Sequence, residues 1–369
     1  MNYKKVLTIL FFCIGIYIFF ASGTVSVPSE EIAVPSTIGF DLERKGSEVE
    51  YSIPIAVYNY TGKEIPSTII QTGVGKTIGG TREDRQLGSD LKFLLGLEKV
   101  LIWGEDIARF GIESSIDMLF ANPNVNDTGL NAVCKGKSMD ILKFSVEGYP
   151  NAGDYIENLL THAKEFNFFS DNYKLMDIYV RIGAEGRTLV LPYIEIIDKK
   201  PKITGMAVFN EDKMVTTLGM KDTKILNLLK EDNVKGMLSI RKNTAEYIDY
   251  YPTSKRKVSC EKIDDKYKFI IYLSLNGDII NNNLYEDIAN KPAVQKKFIN
   301  DIEKKTTETC YEFIDKMQND YKIDCLALGT VAAAKYGRHT ETDWNKIVSE
   351  ADIIVNVKVK LDKFGRGDY

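Results

Sequence analysis

The sequence predicts an α+β fold of more than one domain, with mixed sheets, packed helices and one long helix in the C-terminal domain. Three observations carry this prediction. The chain has 369 residues, enough for two or three compact domains of roughly 150 residues each. Apolar residues make up 44% of it and charged residues 27%, which is typical of a globular protein that buries a core. Stretches with strand-like alternation are interleaved with stretches of helical spacing along the chain.

The first segment has the composition of an export signal or a membrane anchor. Two lysines precede an uncharged run from Val6 to Phe20, and small residues follow it at 21–23. The run is shorter than the ~20 residues that span a bilayer comfortably, so a cleaved signal and a retained anchor are both open. The lysines on its N-terminal side predict that the rest of the chain is exported. We assign residues 1–23 to this signal or anchor.

Residues 24–198 are predicted to form an N-terminal α/β domain, which is open to division into two subdomains. It begins with a hairpin, because two alternating stretches flank a polar, glycine-containing turn at 43–47. Buried strands followed by helices come next, and this order indicates a layered sheet with antiparallel pairing at its edges. The predicted elements are strands at 32–41, 49–60, 68–74, 98–103 and 130–134, and helices at 81–95, 105–120, 138–144 and 154–166.

A polar run at 198–201 marks the predicted boundary with a C-terminal α+β domain over 199–369. This domain is expected to begin with a hairpin and to contain a long helix that starts at Pro292, since a first helical turn tolerates proline. Its last strand alternates apolar and polar residues, so one face should be buried and the other wet. The predicted elements are strands at 203–209, 213–218, 258–263, 267–275 and 354–361, and helices at 223–230, 292–321 and 344–348.

Charge and residue usage exclude several functions. With 48 Lys and Arg against 52 Asp and Glu, the formal charge is −4, so no overall positive field can gather phosphates and nucleic acid is not expected as a partner. Only two His and five Cys are present, which disfavours a zinc site or histidine-dependent catalysis. The cysteines beyond the first segment show no paired spacing and are predicted to be core thiols. They are Cys134, Cys260, Cys310 and Cys325.

Two short motifs have a chemical interpretation that their context does not support. Gly73-Val74-Gly75-Lys76-Thr77 is similar to a phosphate-binding loop, but residue 70 is Ile where a P-loop needs Gly, so a glycine-rich turn is predicted. His339, Glu341 and Asp343 alternate as metal ligands could on an extended segment. Nothing in the sequence supplies a second ligand cluster, so a solvated loop is predicted there. We therefore expect no metal and no cofactor.

No catalytic residue is predicted either. A nucleophile elbow would need Gly-x-Ser-x-Gly, which does not occur, and 52 acidic residues single out no pair for glycosidic cleavage. Glu105 follows a buried strand and opens a helix, where the positive end of the helix dipole stabilises a carboxylate. Together with Trp103 and Arg109, Glu105 is also a candidate surface for a protein partner.

A series of short motifs runs along the exported part of the chain. The motifs are IGFD at 38–41, KVLIWGEDIARFGI at 99–112, LP at 191–192, ITGMAVF at 203–209, DCLALG at 324–329, and Trp344. In their order and spacing, and with the alternating strand that follows them, they resemble the Ger(x)C family, the C subunits of nutrient germinant receptors in spore-forming bacteria. The resemblance covers about residues 30–365.

The resemblance implies structural roles for a set of signature residues. They are Gly39, Asp41, Gly104, Ala108, Gly111, Gly205, Asp324 and Trp344. Two positions depart from the family pattern. Leu97 stands where the family often has His, and Cys13 lies inside the apolar run, so no cysteine follows the run to accept a lipid. The second departure favours the N-terminal segment itself as the anchor.

The resemblance also implies a function. It implies a non-enzymatic α+β subunit that is anchored on the outer face of the inner spore membrane. Such a subunit acts with two integral-membrane partners, the A-type and B-type receptor subunits, which sense nutrients and pass ions. Docking on these partners would then support nutrient-triggered spore germination.

Two other functions remain open on the residues alone. An extracytoplasmic solute-binding protein would use a cleft between the two domains near residues 198–202, and ligand-induced thermal stabilisation would favour this alternative. A wall-lytic hydrolase would need two carboxylates across a groove, and release of muropeptides from spore cortex would favour that one.

Overall fold

The computed structural model describes residues 3–21, 32–46, 48–59, 67–264, 266–338 and 342–363. The helices are α1 (Tyr3–Ala21), α2 (Ile78–Leu87), α3 (Glu105–Phe110), α4 (Glu113–Phe120), α5 (Ser138–Leu142), α6 (Ala152–Ala163), α7 (Leu175–Ile182), α8 (Met220–Lys230), α9 (Pro292–Lys316), α10 (Leu328–Tyr336) and α11 (Trp344–Glu350). The strands are β1 (Ile32–Ala33), β2 (Pro35–Lys45), β3 (Glu48–Asn59), β4 (Ser67–Gly75), β5 (Lys92–Phe93), β6 (Val100–Gly104), β7 (Leu130–Cys134), β8 (Val190–Ile197), β9 (Lys200–Asn210), β10 (Lys213–Gly219), β11 (Leu238–Arg241), β12 (Tyr247–Ile263), β13 (Lys266–Asn282) and β14 (Asp352–Leu361).

Most of the strands belong to one sheet, which we call the large sheet. Within the described residues its strand order is β10-β9-β8-β7-β6-β2-β3-β4. The four central strands, β8, β7, β6 and β2, run parallel to one another. The outer strands are joined to them as antiparallel hairpins on both sides. The predicted layered sheet with antiparallel edges is therefore confirmed, as is the α+β class of the chain.

A stacked aromatic pair lies at the centre of the large sheet. The rings of Phe40 on β2 and Trp103 on β6 are 4.3 Å apart between centroids, with an interplanar angle of 16°. Both side chains are fully buried. The indole Nε1 of Trp103 donates a hydrogen bond of 3.1 Å to Oδ1 of Asn131 on β7. The polar edge of the indole is thus satisfied, which allows complete burial of a large aromatic surface.

The second sheet, β11-β12-β13-β14, is called the small sheet. β12 and β13 form a long hairpin, and β14 returns parallel to β13. Helix α9 packs on this sheet, where Phe298 meets Tyr250 edge-on with ring centroids 5.9 Å apart. The predicted long helix is confirmed as α9. Its buried residues recur at helical spacing, which gives the helix one face toward the core. They are Phe298, Ile302, Thr306, Cys310, Phe313 and Ile314.

The predicted domain boundary at residue 198 falls inside the large sheet. β8 and β9 are adjacent antiparallel strands, and Asp198 and Lys199 form the turn between them with φ values of 50° and 57°. The polar run therefore marks a hairpin turn, and the large sheet continues across it into β9 and β10. The division of the chain at residue 198 stays a prediction.

Two predicted helices differ from the observed ones. The helix predicted at 81–95 ends at Leu87, because residues 92–93 leave it and pair in parallel with β1. The helix predicted at 105–120 is divided into α3 and α4 at Gly111, which has a φ of 136°. A β-carbon at Gly111 would lie 2.5 Å from Oδ2 of Asp212. Glycine at this position therefore also leaves room for the β9–β10 turn to pack against the break.

Two further expectations concern the first segment and the cysteines. Among the described residues, no helix combines the length and the apolar character that a membrane crossing requires. The side chains of α1 that are described, residues 3–18, are all exposed. The four cysteines beyond this segment are buried and unpaired, as predicted for core thiols.

We expect Gly205→Ala to lower the free energy of unfolding by about 2–4 kcal/mol. A β-carbon at Gly205 on β9 would lie 1.7 Å from the carbonyl oxygen of Leu218, so the β9–β10 pair would have to separate locally. Gly79→Ala on α2 is the control, since it has open space around it and should change stability by less than about 1 kcal/mol. Urea denaturation of both variants measures the difference, and equal stabilities would contradict the steric role of Gly205.

Candidate functional site

The carboxyl ends of the parallel strands meet at one edge of the large sheet. Asp41 on β2 directly follows the last residue that pairs with β6, and Gly104 and Cys134 end β6 and β7. Residues that follow parallel strands at this edge are brought together by the topology, although they are far apart in sequence. Two of the signature residues, Asp41 and Gly104, therefore become neighbours.

Asp41 is buried and is held by the first backbone groups of α5. Its two carboxylate oxygens accept hydrogen bonds from the backbone N–H of Ser138, at 2.6 Å, and of Met139, at 3.0 Å. A β-carbon at Gly104 would lie 2.3 Å from Oδ1 of Asp41, and one at Gly39 would lie 2.3 Å from Oγ of Ser138. The signature glycines are thus required because β2, β6 and α5 approach one another too closely for any side chain.

Burial raises the pKa of Asp41, and the N–H groups of Ser138 and Met139 oppose that shift. Both effects follow from the same geometry, since the helix end that buries the carboxyl also supplies its donors. The role of Asp41 is therefore to join β2 to α5.

The exposed side of the same edge carries a row of ion pairs. We call it the carboxyl-edge surface. Arg109 pairs with Glu105 at 2.8 Å, Lys135 pairs with Glu195 at 2.9 Å, and a third pair links Lys137 to Glu43. The six residues of this surface are Glu43, Glu105, Arg109, Lys135, Lys137 and Glu195. Three cations face three anions, so the surface is charged but has no net charge.

Both carboxylate oxygens of Glu105, on the carboxyl-edge surface, accept hydrogen bonds from side chains. Its Oε1 accepts from Arg109 and its Oε2 accepts from the hydroxyl of Tyr193 at 3.1 Å. Burial acts to raise the pKa of Glu105, but the Arg109 guanidinium and the Tyr193 hydroxyl outweigh it, and the pKa is lowered. Burial and the nearby Glu105 carboxylate both raise the pKa of Tyr193. Glu105 is therefore an ionised acceptor, which does not suit it to act as a general acid.

The structure corrects one of the three residues predicted to form a partner surface. Trp103 is fully buried against Phe40 and offers no surface to another protein. It precedes Glu105 by two residues in sequence, but β6 ends between them, so Trp103 stays in the core while Glu105 opens α3. Glu105 opens α3, as predicted, and Arg109 is exposed on the same helix. Their part in a partner surface stays a prediction.

A second group of signature residues surrounds the start of α10. Asp324 is buried, and its carboxylate accepts from the backbone N–H of Leu328 at 3.0 Å and of Gly329 at 2.7 Å. Trp344 packs on Gly329, where a β-carbon would come within 2.7 Å of it. The indole Nε1 of Trp344 donates to Oε1 of Glu185 at 3.0 Å. Asp324, Gly329, Trp344, Glu185 and Gly186 are called the Asp324 cluster.

This cluster joins two distant parts of the chain. The backbone carbonyl of Gly186 accepts from both the N–H and the hydroxyl of Thr330 on α10, at 3.2 and 2.8 Å. A β-carbon at Gly186 would lie 2.4 Å from the backbone of Gly329, so the close contact needs glycine on both sides. Segment 185–188 precedes β8 of the large sheet, whereas α10 packs on the small sheet through β12. The Asp324 cluster therefore connects the two sheets.

The other signature residues also have structural positions. Ala108 on α3 is fully buried, Gly111 separates α3 from α4, and Gly205 allows β9 and β10 to pair. None of these three residues has a side chain with a polar or reactive group. The signature thus describes the framework of the fold rather than a reactive centre.

The glycine-rich motif at 73–77 and the described part of the motif at 339–343 both have structural roles. In the glycine-rich motif, β-carbons at Gly73 and Gly75 would lie within 3 Å of the backbone of α2, and Lys76 pairs with Glu48 at 2.6 Å. These glycines allow α2 to pack back on β4. His339 and Glu341 lie outside the described residues, and Asp343 caps α11 by accepting from the N–H of Lys346. Among the described residues, no three His, Cys, Asp or Glu side chains are grouped as metal ligands.

A solute-binding protein was expected to use a cleft near residues 198–202, and the structure places a hairpin turn at this point. Residues 198–200 are exposed hairpin residues at the end of β8 and the start of β9. A wide polar cleft of about 1330 Å³ instead lies between residues 182–188 and residues 318–324, with Trp344 on its wall. The sequence could not indicate this cleft, because its walls come from segments about 140 residues apart.

A smaller cavity lies beside the Asp324 cluster, and the sequence did not predict it. It has a volume of about 450 Å³ and contains Arg181, Arg187, Lys230, Glu231 and Arg256 among its walls. Glu231 is only 6% exposed. Burial lowers the pKa of Lys230 to about 8 and also lowers the pKa of Arg256. The only signal in the sequence is the Lys-Glu pair at the end of α8, which surface helices commonly show.

Comparison with known proteins matches nearly the whole chain to one family. A family model described as "Spore germination protein N-terminal domain" matches residues 26–196, and one described as "Spore germination B3/ GerAC like, C-terminal" matches residues 204–365. The spore germination protein GerQC of Bacillus cereus is 21% identical over 372 aligned residues, covering 97% of this chain and 98% of GerQC. The crystal structure of the GerBC protein has a TM-score of 0.57 at 16% identity, covering 88% of this chain and 97% of GerBC, and so shows the same fold.

The Asp324 carboxyl should make stability depend on pH. Burial raises its pKa from 3.8 to about 6, although the N–H groups of Gly329 and Leu328 act in the opposite direction. Between these two values the native state holds a proton that the unfolded chain has lost, so stability rises as the pH falls through this window. Relative to Asp324→Asn, the unmodified protein should gain about 1–2 kcal/mol between about pH 7 and about pH 5.

Urea denaturation at several pH values measures this difference. Asp117→Asn, at an exposed position on α4, is the matched control and should show no such trend against the unmodified protein. A difference between Asp324→Asn and the unmodified protein that stays constant with pH, or that grows in the opposite direction, would contradict the assignment.

Proposed function

The chain belongs to the Ger(x)C family of spore germination proteins, and from this premise we propose that it is the non-enzymatic C subunit of a nutrient germinant receptor that docks on integral-membrane partner subunits. The observation that carries the proposal is the family match over both the N-terminal and the C-terminal parts of the chain. The family is that of germinant receptor C subunits, which take part in spore germination and are not a known class of enzyme. The partners that we propose are the A-type and B-type receptor subunits.

The chemistry of the described residues supports a binding role over catalysis. The acidic residues at the carboxyl edge are each engaged by a cation, and Asp41 and Asp324 are each engaged by two backbone N–H groups. A carboxylate that is ionised and paired with a cation, as at the carboxyl edge, is a poor proton donor. Asp41 and Asp324, whose pKa values are raised, are buried and serve to join backbone segments. Release of muropeptides from spore cortex by the purified protein would contradict the proposal.

We propose the carboxyl-edge surface as the docking face for the membrane partners. Its ion pairs are exposed, so each contributes little to folding, about 0–1 kcal/mol. Charged groups of this kind can instead set the orientation and the rate of association with a partner of complementary charge. Glu105 and Arg109 lie on this surface and keep the role that the sequence predicts for them.

We further propose that the segment from Val6 to Phe20 holds the protein at the outer face of the inner spore membrane. The described side chains of this run are exposed to solvent and uncharged. The most exposed large ones include Phe11 at 80% and Phe12 at 71%. Apolar side chains that no part of the protein covers are stabilised by contact with lipid.

Deletion of the gene in a strain with no redundant copy should abolish or strongly slow nutrient-triggered germination. Germination is measured as loss of optical density after addition of nutrient. Restoration by the unmodified gene is the control. Normal germination of the deletion strain would contradict the receptor role.

Arg109→Glu should reduce the amount of membrane partner that co-purifies with the protein by about tenfold. The substitution places a second carboxylate beside Glu105 and changes the local charge by two units, which weakens a charge-complementary contact. Lys221→Glu is the control, because it disrupts an exposed ion pair with Glu312 on α8 and α9, away from the carboxyl-edge surface. The doubly exchanged variant, Glu105→Arg with Arg109→Glu, keeps an internal pair with reversed polarity. If that variant binds the partner normally, the contact does not depend on the charges of this surface.

Two lysines in the N-terminal run should release the protein from membranes. For Ile9→Lys with Phe12→Lys, each charge costs about 2.5–3.5 kcal/mol in the apolar layer, so the protein should move to the soluble fraction when expressed without partners. Phe12→Leu is the conservative control and should stay with the membrane. The intact mass of the membrane-extracted protein should equal that of the unmodified 369-residue chain. A mass that lacks residues 1–23 would mean that the segment is a cleaved signal.

A further inference from the structure

We propose that residues 87–97, which we call the leucine segment, lie against the lipid surface of the membrane that holds the chain. The segment runs from the end of α2 towards β6 and contains five leucines and one phenylalanine. Three of the leucines are exposed, Leu87 at 90%, Leu94 at 44% and Leu97 at 51%. The inference rests on the proposed anchoring by α1, since it names a second part of the chain that meets the same membrane.

The leucine segment has an inner and an outer side. Its inner side chains, Leu91, Phe93 and Leu95, are partly buried and pack against the core. The guanidinium of Arg85 lies 5.0 Å from the centre of the Phe93 ring. This packing holds the exposed leucines in place, so they form a fixed apolar surface. Exposed apolar surface of this kind marks contact with another protein or with a membrane.

The position of the segment in the chain favours the membrane. Its strand β5 pairs in parallel with β1, and the backbone N–H of Leu94 donates to the carbonyl of Ala33 at 3.0 Å. Ten residues separate Ala21, where α1 ends, from Ile32, where β1 begins. A chain of this length cannot span more than about 40 Å. The leucine segment is therefore next to the point that ties the body to α1, and a surface tethered in this way meets the bilayer at a high effective concentration.

The backbone of the leucine segment is also suited to an apolar layer. Irregular backbone is tolerated there only when its polar groups are paired. Five N–H groups of the segment already donate within the protein, and they are those of Gly88, Ser89, Leu91, Leu94 and Gly96. The last of them donates to Oε2 of the buried Glu98 at 2.6 Å. The other carboxylate oxygen accepts from the N–H of Asn126 at 2.8 Å, which fixes the end of the segment.

The charges of the segment indicate which lipid property matters. Asp90 and Lys92 are its two charged residues, and both are exposed. They cancel, so the segment carries no net charge that would select anionic lipids. The contact that we propose is therefore apolar, and it is stabilised by removal of the leucine side chains from water.

The leucine segment and the carboxyl-edge surface lie at opposite ends of β6. Val100 begins this strand three residues after Leu97, and Glu105 follows its last residue. A strand of this length spans about 17 Å. Contact of the leucine segment with lipid therefore leaves the proposed docking surface free.

The test measures lipid contact at single positions of the full chain. Cys13→Ser removes the exposed cysteine, and the other four are buried, so an added cysteine can be labelled selectively with an environment-sensitive fluorophore. Leu94→Cys and Leu97→Cys place the label in the leucine segment. Ile280→Cys is the matched control, because Ile280 is 50% exposed on β13 of the small sheet. Each labelled chain is reconstituted without partners in phosphatidylcholine vesicles, with or without a spin label near the ester end of the acyl chain.

We expect the spin-labelled lipid to quench the fluorophore at positions 94 and 97 at least about threefold more strongly than at position 280. The reason is that surface segments enter the boundary between headgroups and acyl chains by about 5–10 Å. The quenching should persist at high salt, since the contact is apolar.

A substitution within the segment tests whether its leucines act together. Leu87→Glu, in the chain labelled at position 94, should lower the quenching by at least about twofold, because it removes apolar surface from the contact. Val215→Glu is the control, since Val215 is 42% exposed on β10 at the far edge of the large sheet, and it should leave the quenching unchanged.

Flotation of the vesicles separates this inference from the anchoring on which it rests. A protein that floats with the vesicles while positions 94 and 97 stay unquenched would overturn the lipid contact and leave anchoring by α1 intact. That result would point to a protein as the occupant of the segment. Equal quenching at positions 94, 97 and 280, or no effect of Leu87→Glu, would also contradict the proposal. A protein that stays in the soluble fraction would contradict both the anchoring and the lipid contact.

Discussion

Two buried aspartates, each held by the start of a helix, connect the elements of this protein. Asp41 accepts two backbone N–H groups at the start of α5, and Asp324 accepts two at the start of α10. A carboxylate is costly to bury, and the unpaired N–H groups of a helix end are among the few places in a protein that compensate for that cost. Asp41 therefore fixes a helix start against a strand about 100 residues away, whereas Asp324 organises the turn that leads directly into α10. The surrounding glycines are needed because the backbones must approach closely.

The two aspartates act at different levels of the structure. Asp41 works within the large sheet, where it brings β2, β6 and α5 to one edge and so positions the ion pairs of the carboxyl-edge surface above them. Asp324 works between the sheets, since the loop that it organises contacts segment 185–188 on one side and supports α10 against the small sheet on the other. The surface and the cavity thus depend on one kind of interaction used twice.

The sequence predicted the classes of element and missed the contacts between them. Period-two alternation located the hairpins and the last strand, and helical spacing located α9, because these patterns are local. The break at Gly111 was missed, since apolar spacing continues across it and only the turn with Asp212 requires it. Trp103 was misplaced because aromatic residues are common both in cores and at interfaces. Lys230, Glu231 and Arg256 could not be found, because the cavity exists only when segments that are far apart in the sequence are folded together.

The cavity of about 450 Å³ lies against the same contacts that join the two sheets. The carbonyl of Leu326, in the same loop as Asp324, accepts a hydrogen bond from Arg256. The carbonyl of Thr188, in the segment that the Asp324 cluster contacts, accepts one from Lys230. The cavity therefore lies between the parts of the chain that the Asp324 cluster holds together.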